Sequence, residues 1–508
     1  MFDKTVEKFP DREAYVFCED GNRATFSQFK QEVDHLAEGL VSRGLAKGDR
    51  VGIWAPNIKE WITTQLAAAQ IGLILVCLNP AYQGTETEYV LRKGKAGCKA
   101  VVIADEFRTH NFYETMTKMI PELPDAKPGE LQSERLPELK DVFVVSKSNQ
   151  VFRGTTSFEE LMYSGGEDAR QQMKYIKRTL QFDEPACLQF TSGTTGHPKG
   201  VMLTHHSLVN NAFIIGQTMN FSEPTRVCSP FPLFHAAGVT ITSLVSAVWG
   251  ATVVYPSRGY DSTAILKAIH NEKCDCLYGT PPMFIDILAH PDLKKYDLSS
   301  LKKGLTGATT CPTEVMREVI STLNVPQLTL AYGLTETTLV TQTSIDEPME
   351  TKVSTVGKVY PHTEIKIVDY EGNVVLVNTL GKDLGTMDEH GYLRIVGRLK
   401  DLISRGGENV YPAEIEYFLH THPKIQDVQV ISVPDERLGE EVCAWIKLRD
   451  GETMTAGDIK DFCKDQIAYF KIPRYIKFVD EYPMTASGKV IKYVIRQQAT
   501  EEYKSYLT

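Results

Sequence analysis

The segment from Thr191 to Gly200 concentrates glycines, small hydroxyl side chains and one lysine behind the apolar run "CLQF". Glycines let backbone N–H groups approach an anion, and a neighbouring lysine adds positive charge. The pattern is not that of a Walker A loop, because Lys199 lies between a proline and a glycine. The composition therefore predicts a different phosphate-binding loop, with a flexible surface linker as the alternative. The residues expected to contact phosphate are Thr191, Ser192, Gly193, Thr194, Thr195, Gly196 and Lys199.

Apolar strand-like runs alternate with helical patterns on both sides of this loop. The predicted strands are Arg50–Trp54, Leu73–Asn79, Ala100–Asp105, Ala251–Pro256, Cys276–Thr280, Gly304–Ala308 and Leu328–Gly333, with helices beginning near Ile58, Glu86, Ser262 and Pro312. Strands that are apolar throughout predict parallel sheets covered on both faces. Ligands of such sheets bind beyond the carboxyl ends of the strands. The loop Thr191–Gly200 and the segments "TGATT" and "YGLTET" all follow such strand ends.

The composition changes at Gly397–Glu416, a polar stretch with glycines that suits a linker. A small α+β domain is predicted beyond it, with helices beginning at Pro412 and Ala456 and strands in "DVQVISV", "CAWIKL" and "YIKFVD". The predicted division is an N-terminal domain over residues 1–397, a linker over 398–411 and a C-terminal domain over 412–508.

Overall composition is that of an ordinary globular protein, with 42% hydrophobic and 24% charged residues. A net charge of −10 argues against general nucleic-acid binding. The ten cysteines are scattered without paired metal-ligand spacing, which favours buried thiols in a reducing compartment over zinc. The uncharged run Ala236–Pro256 contains Gly238 and Gly250, so we expect a core helix and a strand there and no membrane span.

Six segments, in order, resemble the successive motifs of the adenylate-forming superfamily of acyl-CoA synthetases, luciferases and adenylation domains. They are Phe190–Gly200, Pro232–Gly238, Tyr332–Thr337, Gly397–Asp401, Gly406–Glu416 and Pro483–Lys489. Within the superfamily the chain is most similar to medium-chain fatty acyl-CoA synthetases. The resemblance implies an α/β fold class: a large N-terminal domain with stacked, mostly parallel sheets in αβαβα layers and a small β-rich subdomain, followed by a small α+β C-terminal domain.

The implied reaction has two steps. A carboxylate attacks the α-phosphorus of ATP to give an acyl-adenylate and pyrophosphate, and coenzyme A then displaces AMP. Magnesium ion, ATP and coenzyme A are the expected cofactor and co-substrates, a small-molecule carboxylic acid is the expected partner, and no nucleic acid takes part. Positioning and positive charge must supply most of the acceleration, because two anions meet in the first step.

The resemblance assigns adenylation roles by position. Lys489 resembles the lysine that bridges the attacking carboxylate and the α-phosphate; by position alone it would be a solvated surface residue. Glu336 resembles the Mg²⁺ ligand, and Thr335 would bond a phosphate oxygen; a helix cap is the alternative for Glu336. His235 resembles the ring that lines the acyl channel near the carboxylate, although a lone histidine after an apolar run is usually a core residue.

Nucleotide contacts are implied at Gly307, Ala308, Tyr332, Gly333, Asp383 and Arg398. Lys400 matches the hinge about which the small domain turns after adenylation in this family. Gly406 and Gly407 would then let the pantetheine arm of coenzyme A pass close to the backbone; a plain β-turn is the alternative.

One departure from the family pattern lies between Gly381 and Asp383, where several dozen expected residues are absent. The loss would leave the β-rich subdomain incomplete and remove a wall of the nucleotide pocket. Three functions stay open: a fatty acid–CoA ligase, a ligase for aryl or other carboxylates, and an inactive binding protein or splice form. The resemblance favours the mitochondrial matrix, although no transit peptide is visible, and otherwise the cytoplasm. Acyl chain length and oligomeric state are not predicted.

Overall fold

The structure is a computed structural model. It describes residues 1–92, 97–148, 150–191, 198–222, 224–307, 311–368, 373–374, 385–395, 401–406, 408–435, 437–464, 466–485 and 488–503. The chain divides into two compact units: unit 1 comprises Met1–Ala268 and Leu334–Thr338, and unit 2 comprises Ile269–Gly333 and Leu339–Thr508. The domain boundaries expected from the sequence stay a prediction.

The α-helices are α1 (Phe2–Lys8), α2 (Phe26–Ser42), α3 (Lys59–Gln70), α4 (Gly84–Arg92), α5 (Phe112–Met119), α6 (Phe158–Met162), α7 (Glu167–Thr179), α8 (His205–Thr218), α9 (Ser243–Trp249), α10 (Ser262–Glu272), α11 (Pro281–Leu288), α12 (Thr313–Thr322), α13 (Met349–Ser354), α14 (Pro412–His420), α15 (Ala456–Cys463) and α16 (Lys492–Tyr503). A π-helix spans Ala237–Thr242, and 3₁₀ turns occupy Leu123–Asp125, Leu293–Lys295 and Tyr469–Lys471.

The strands are β1 (Glu13–Phe17), β2 (Asn22–Thr25), β3 (Arg50–Trp54), β4 (Ile74–Cys77), β5 (Ala100–Ala104), β6 (Glu106–Phe107), β7 (His110–Asn111), β8 (Asp141–Val145), β9 (Thr156–Ser157), β10 (Pro185–Thr191), β11 (Lys199–Thr204), β12 (Arg226–Cys228), β13 (Thr252–Tyr255), β14 (Cys276–Tyr278), β15 (Lys303–Gly307), β16 (Gln327–Tyr332), β17 (Thr341–Gln342), β18 (Lys358–Val359), β19 (Gly385–Met387), β20 (Leu393–Ile395), β21 (Ile403–Arg405), β22 (Glu408–Val410), β23 (Ile425–Asp435), β24 (Gly439–Leu448) and β25 (Tyr475–Phe478).

Unit 1 contains a seven-stranded sheet in the order β11-β10-β4-β3-β5-β8-β9. Its strands are parallel from β10 to β9, and β11 pairs antiparallel with β10. Every residue of β4 and β5 is buried, which explains why these strands are apolar throughout instead of alternating. The same unit holds the ladder β12-β13-β1-β2, in which only the β1–β2 pair is antiparallel.

Unit 2 contains the parallel ladder β14-β15-β16, extended by the antiparallel strands β17 and β18. Its C-terminal sheet has the order β22-β21-β24-β23, and β25 pairs parallel with β24. Helices α14 and α15 pack on one core of this sheet, and α16 packs on a second core around Trp445.

The predicted α/β class, with sheets rich in parallel strands, is confirmed. Within the predicted linker the structure has the β21–β22 hairpin, whose strands pair from Ile403↔Val410 to Arg405↔Glu408. The uncharged run Ala236–Pro256 forms the π-helix, α9 and β13. No helix among the described residues combines the length and apolarity needed to cross a membrane. All the cysteines are buried except Cys18, which is half-buried.

Candidate functional site

The predicted phosphate-binding loop connects two antiparallel strands. Thr191, the last residue of β10, pairs with Lys199, the first residue of β11. The ladder therefore brings the two ends of the loop together at the edge of the seven-stranded sheet. A strand follows the loop here, whereas a helix follows a Walker A loop. Residues Ser192, Gly193, Thr194, Thr195 and Gly196 lie outside the described residues.

The segment with Thr335 and Glu336 forms a turn in unit 1. Its backbone closes through a bond from the Thr337 N–H to the Leu334 carbonyl, 3.2 Å long. The side-chain amide of Asn211 donates to the Thr337 carbonyl at 3.2 Å. Since Asn211 belongs to α8, the helix that directly follows β11, this bond holds the turn beside the elements that carry the loop. The Glu336 side chain is exposed.

His235 is half-buried and precedes the π-helix. Its Nδ1 accepts a hydrogen bond from the Ala237 N–H at 3.3 Å, so the neutral ring with its proton on Nε2 fits this arrangement. Gly238 packs so closely that a Cβ there would lie 2.0 Å from the Pro232 carbonyl oxygen. π-Helical turns are rare and occur frequently at functional sites.

Two buried side chains that the sequence did not single out hold this region. Asn57 donates to the Phe231 carbonyl at 3.0 Å and accepts from the Leu233 N–H at 2.8 Å. Gln65 donates to the Val239 carbonyl at 2.7 Å and accepts from the Ser243 hydroxyl at 2.6 Å. A buried side-chain amide needs such partners. A glutamine on an apolar helix is the sequence signal that could have identified Gln65.

In unit 2, Gly307 and Tyr332 are the last residues of the parallel strands β15 and β16. They therefore lie at the same edge of the ladder, where ligands of parallel sheets bind. A Cβ at Gly307 would lie 2.4 Å from the Ala331 carbonyl oxygen, so this position requires glycine. Gly333 follows Tyr332 directly, and Ala308 lies outside the described residues. Burial raises the pKa of the nearby Cys311 thiol to about 12, so this thiol stays protonated at neutral pH.

Lys489 lies on a tight hairpin closed by the Met484↔Val490 bridge. The Thr485 N–H donates to the Lys489 carbonyl at 2.7 Å, and the Lys489 N–H donates to the Thr485 hydroxyl at 3.0 Å. Gly488 has a φ of +73°, and a Cβ there would lie 3.2 Å from the Met283 Cε and 3.7 Å from the Thr280 hydroxyl. The hairpin therefore packs against the first turn of α11, which follows β14, the strand next to β15.

Gly406 forms the β21–β22 turn with a φ of +56°. Its N–H donates to the Leu438 carbonyl at 2.8 Å, and a Cβ would lie 2.8 Å from the Leu438 Cδ2. The turn thus requires glycine for conformation and for space. Gly407, Asp383, Arg398 and Lys400 lie outside the described residues.

Residues 2–384 match the AMP-binding enzyme family, and residues 414–489 match the AMP-binding enzyme C-terminal domain. The chain therefore belongs to the AMP-binding enzymes, as its six ordered motifs predict.

The relatives of this chain include medium-chain acyl-CoA ligases. The medium-chain acyl-CoA ligase ACSF2, mitochondrial, of Danio rerio is 43% identical over 534 residues, covering 98% of this chain and 87% of the relative. The human protein of the same description is 42% identical over 533 residues, covering 97% and 86%. The Bacillus subtilis protein YngI is 40% identical over 537 residues, covering 99% and 97%. These matched stretches are longer than the 508 residues of the chain, so the alignments contain positions with no counterpart here.

Solved structures share the fold. The anthranilate CoA ligase AuaEII in complex with anthranoyl-AMP superimposes with a TM-score of 0.84 at 23% identity, covering 99% of this chain and 97% of that one. ATP-bound MatB from Rhodopseudomonas palustris gives a TM-score of 0.83 at 24% identity, covering 99% of both chains.

Proposed function

We propose that the protein joins a medium-chain fatty acid to coenzyme A in two steps driven by ATP. The chain is an ATP-dependent acid–thiol ligase, and its substrates are a carboxylic acid, ATP and coenzyme A. The proposed length of the fatty acid comes from the ACSF2 relatives, which are described as medium-chain acyl-CoA ligases.

In the first step a carboxylate oxygen attacks the α-phosphorus, and pyrophosphate leaves with the electron pair of the broken P–O bond. The observation that carries the assignment is the packing of the Lys489 hairpin on α11, within the unit that presents Gly307 and Tyr332 at its strand ends. We assign the Lys489 ammonium to the attacking carboxylate and α-phosphate, which otherwise repel each other. Tyr332, Gly333 and Gly307 are assigned to the adenine.

Thr191 and Lys199 are assigned to the phosphates, together with Ser192, Gly193, Thr194, Thr195 and Gly196 of the same loop. The exposed Glu336 carboxylate offers the hard oxygen ligand that Mg²⁺ prefers, and this ion commonly uses one or two carboxylates together with phosphates and waters. Glu336 would hold Mg²⁺, which neutralises phosphate charge, and Thr335 would donate its hydroxyl to a phosphate oxygen.

In the second step the thiol of coenzyme A attacks the acyl carbonyl and the C–S bond forms. The acyl C–O bond to the phosphate breaks, AMP leaves with its electron pair, and the thiol proton is released to solvent. We assign the backbone at the Gly406 turn to the passage of the pantetheine arm. Glycine leaves the backbone there without a side chain, which suits close approach of a ligand. The half-buried His235 is assigned to the wall of the acyl site, and Lys400 to the hinge.

A second candidate function, an inactive binding form, is favoured by the longer matched stretches in the relatives. The departure near residues 381–383 is where we propose that the missing residues belong. A mitochondrial location is proposed from the ACSF2 relatives; YngI is a bacterial relative.

The test measures ATP–pyrophosphate exchange with saturated acids of graded length, with and without coenzyme A, and acyl-CoA formation when coenzyme A is present. The ligase predicts acid-dependent exchange without coenzyme A and a thioester product with it, both greatest for acids of medium length. Exchange without a thioester product would reduce the function to adenylation alone. An inactive chain that becomes active when the relatives' segment is inserted near residue 382 would identify this form as inert.

A further inference from the structure

Two segments that the proposed function places at the reacting groups are each tied to the C-terminal sheet by a buried carboxylate. We call them the lysine hairpin (Met484, Thr485 and Gly488–Val490) and the glycine turn (Ser404–Gly406). Glu416 supports the first and Glu441 the second; their side chains are 10% and 0% exposed.

Glu416, on α14, anchors the base of the lysine hairpin. One oxygen of its carboxylate accepts from the Lys492 ammonium at 2.6 Å and from the Val430 N–H at 2.8 Å. The Lys492 ammonium also donates to the Val430 carbonyl at 3.2 Å. Lys492 follows Ile491, whose N–H closes the hairpin on the Pro483 carbonyl at 2.8 Å. The pair therefore joins the hairpin base to the buried strand β23.

Glu441 lies on β24, which pairs with β21, and it holds the glycine turn through Arg405. Its Oε1 accepts from the Arg405 guanidinium and from the Val442 N–H at 2.9 Å. Arg405 directly precedes Gly406, whose own N–H bonds the Leu438 carbonyl. A second guanidinium, that of Arg474, lies 3.8 Å from the other oxygen of Glu441.

The two carboxylates contact different groups. The contacts of Glu416 run to Lys492 and Val430, whereas those of Glu441 run to Arg405, Val442 and Arg474. Removing one partner of a buried ion pair leaves the other charge uncompensated, so each carboxylate acts on its own segment. The glycine turn has a further tie, from the Ser404 N–H to the Glu440 carboxylate at 2.8 Å, which Glu441→Gln leaves in place.

We propose that Glu416 and Glu441 are positioning residues, one for each half-reaction: Glu416 acts through Lys492 on Lys489 in adenylation, and Glu441 acts through Arg405 on the glycine turn in thioester formation. This inference rests on the proposed function, which assigns the two segments to the two steps. Small displacements matter, because a shift of about 1 Å in a positioned group can cost ~10²-fold in rate.

The test compares Glu416→Gln, Glu441→Gln and a matched control, Glu452→Gln. The control removes an exposed ion pair with Lys424, 2.9 Å long, from the same sheet region. Two assays are run on each protein: ATP–pyrophosphate exchange, and thioester formation from supplied acyl-adenylate and coenzyme A. We expect Glu416→Gln to lower exchange about tenfold or more and to leave thioester formation within about twofold, since only one segment moves.

Glu441→Gln should give the reverse split, with a raised KM for coenzyme A and unchanged exchange, and Glu452→Gln should change neither assay. Lys492→Arg keeps the cation and should retain exchange that Lys492→Met loses. Equal losses in both assays for both glutamine variants would overturn the proposal, because that pattern means general destabilisation.

Amide hydrogen exchange gives a readout that does not need activity. Glu416→Gln should speed hydrogen exchange at the Thr485 and Lys489 N–H groups. Glu441→Gln should speed hydrogen exchange at the Gly406 N–H group. If the wild-type chain makes no thioester, the proposed function fails while this measurement still tests the two tethers. Unchanged protection at both segments would refute them.

Discussion

The chain has two lysine-bearing hairpins of similar composition, "TSGTTGHPKG" and "TASGK", which the structure builds in different ways. Lys199 is itself a ladder residue, paired with Thr191 at the end of two antiparallel strands. Lys489 lies four residues after Thr485 in the sequence, and its backbone carbonyl and N–H both bond to Thr485. The first lysine therefore sits at the mouth of a long loop, and the second is fixed by a short one.

The difference teaches what each lysine can contribute. A side chain at the mouth of a long loop adds charge to a site that many backbone groups share. A side chain on a short, anchored turn has a defined position, which is what stabilising a single charge in a transition state requires. Substitutions at the two hairpins should therefore differ in magnitude and in the step they affect.

The largest effect is expected for Lys489→Ala. Removing a charge that stabilises the transition state costs about 3–4 kcal/mol, or roughly 10²–10³-fold. ATP–pyrophosphate exchange should fall by at least that factor. Thioester formation from supplied acyl-adenylate should stay near the wild-type rate. Both rates are measured on one preparation of the variant.

Lys489→Arg is the control for charge alone, since a guanidinium has a different shape and donor arrangement. It should recover little of the lost exchange. Equal loss of both half-reactions in Lys489→Ala would contradict the assignment of this hairpin to adenylation.

The next largest effect is expected for Glu336→Gln, on the turn that Asn211 holds beside α8. An amide is a poorer ligand for Mg²⁺ than a carboxylate, so the magnesium concentration for half-maximal exchange should rise about 10-fold or more. Asp346→Asn, an exposed carboxylate elsewhere, is the control. An unchanged magnesium dependence in Glu336→Gln would remove the ion from this residue.

Much of the architecture could be predicted, because fully buried parallel strands are apolar at every position. The predicted strands at Arg50–Trp54 and Ala100–Asp105 match β3 and β5 to within one residue. The predicted helix from Ser262 begins at that residue. Strand ends then place Gly307 and Tyr332 at one edge without further information.

Other parts of the site depend on contacts between distant residues, which local pattern does not contain. The π-helix after His235 is held by Gln65, 174 residues from the carbonyl it bonds. The base of the lysine hairpin depends on Glu416, 76 residues before Lys492. The β21–β22 hairpin lies within the predicted linker, and the sequence does not reveal it because its glycines are equally typical of turns and of flexible segments.

A smaller effect is expected for Lys199→Met, which tests the first hairpin. Lys199 is exposed, and an exposed charge near an anion contributes about 1 kcal/mol at 4 Å in water. We therefore expect the KM for ATP to rise about fivefold. The difference in KM between the variant and the wild type should shrink as salt is added, because salt screens exposed charges. Lys174→Met, which removes an exposed lysine from α7, is the control. A loss as large as that of Lys489→Ala would erase the contrast between the hairpins.

The smallest effect is expected for Thr485→Val, which removes only the hydroxyl that accepts from the Lys489 N–H. The Lys489 carbonyl keeps its bond from the Thr485 N–H, and the Gly488 N–H keeps its bond to the Thr485 carbonyl, so only one bond across the turn is lost. A single hydrogen bond contributes about 0.5–1.5 kcal/mol, which corresponds to a loss of a few-fold in exchange rate. Thr485→Ser retains the hydroxyl and should behave as wild type. Because Val and Thr have nearly the same shape, the difference between Thr485→Val and the wild type isolates the bond. If Thr485→Val exchanged at the wild-type rate, the position of Lys489 would depend on the anchor at the hairpin base and not on closure of the turn itself.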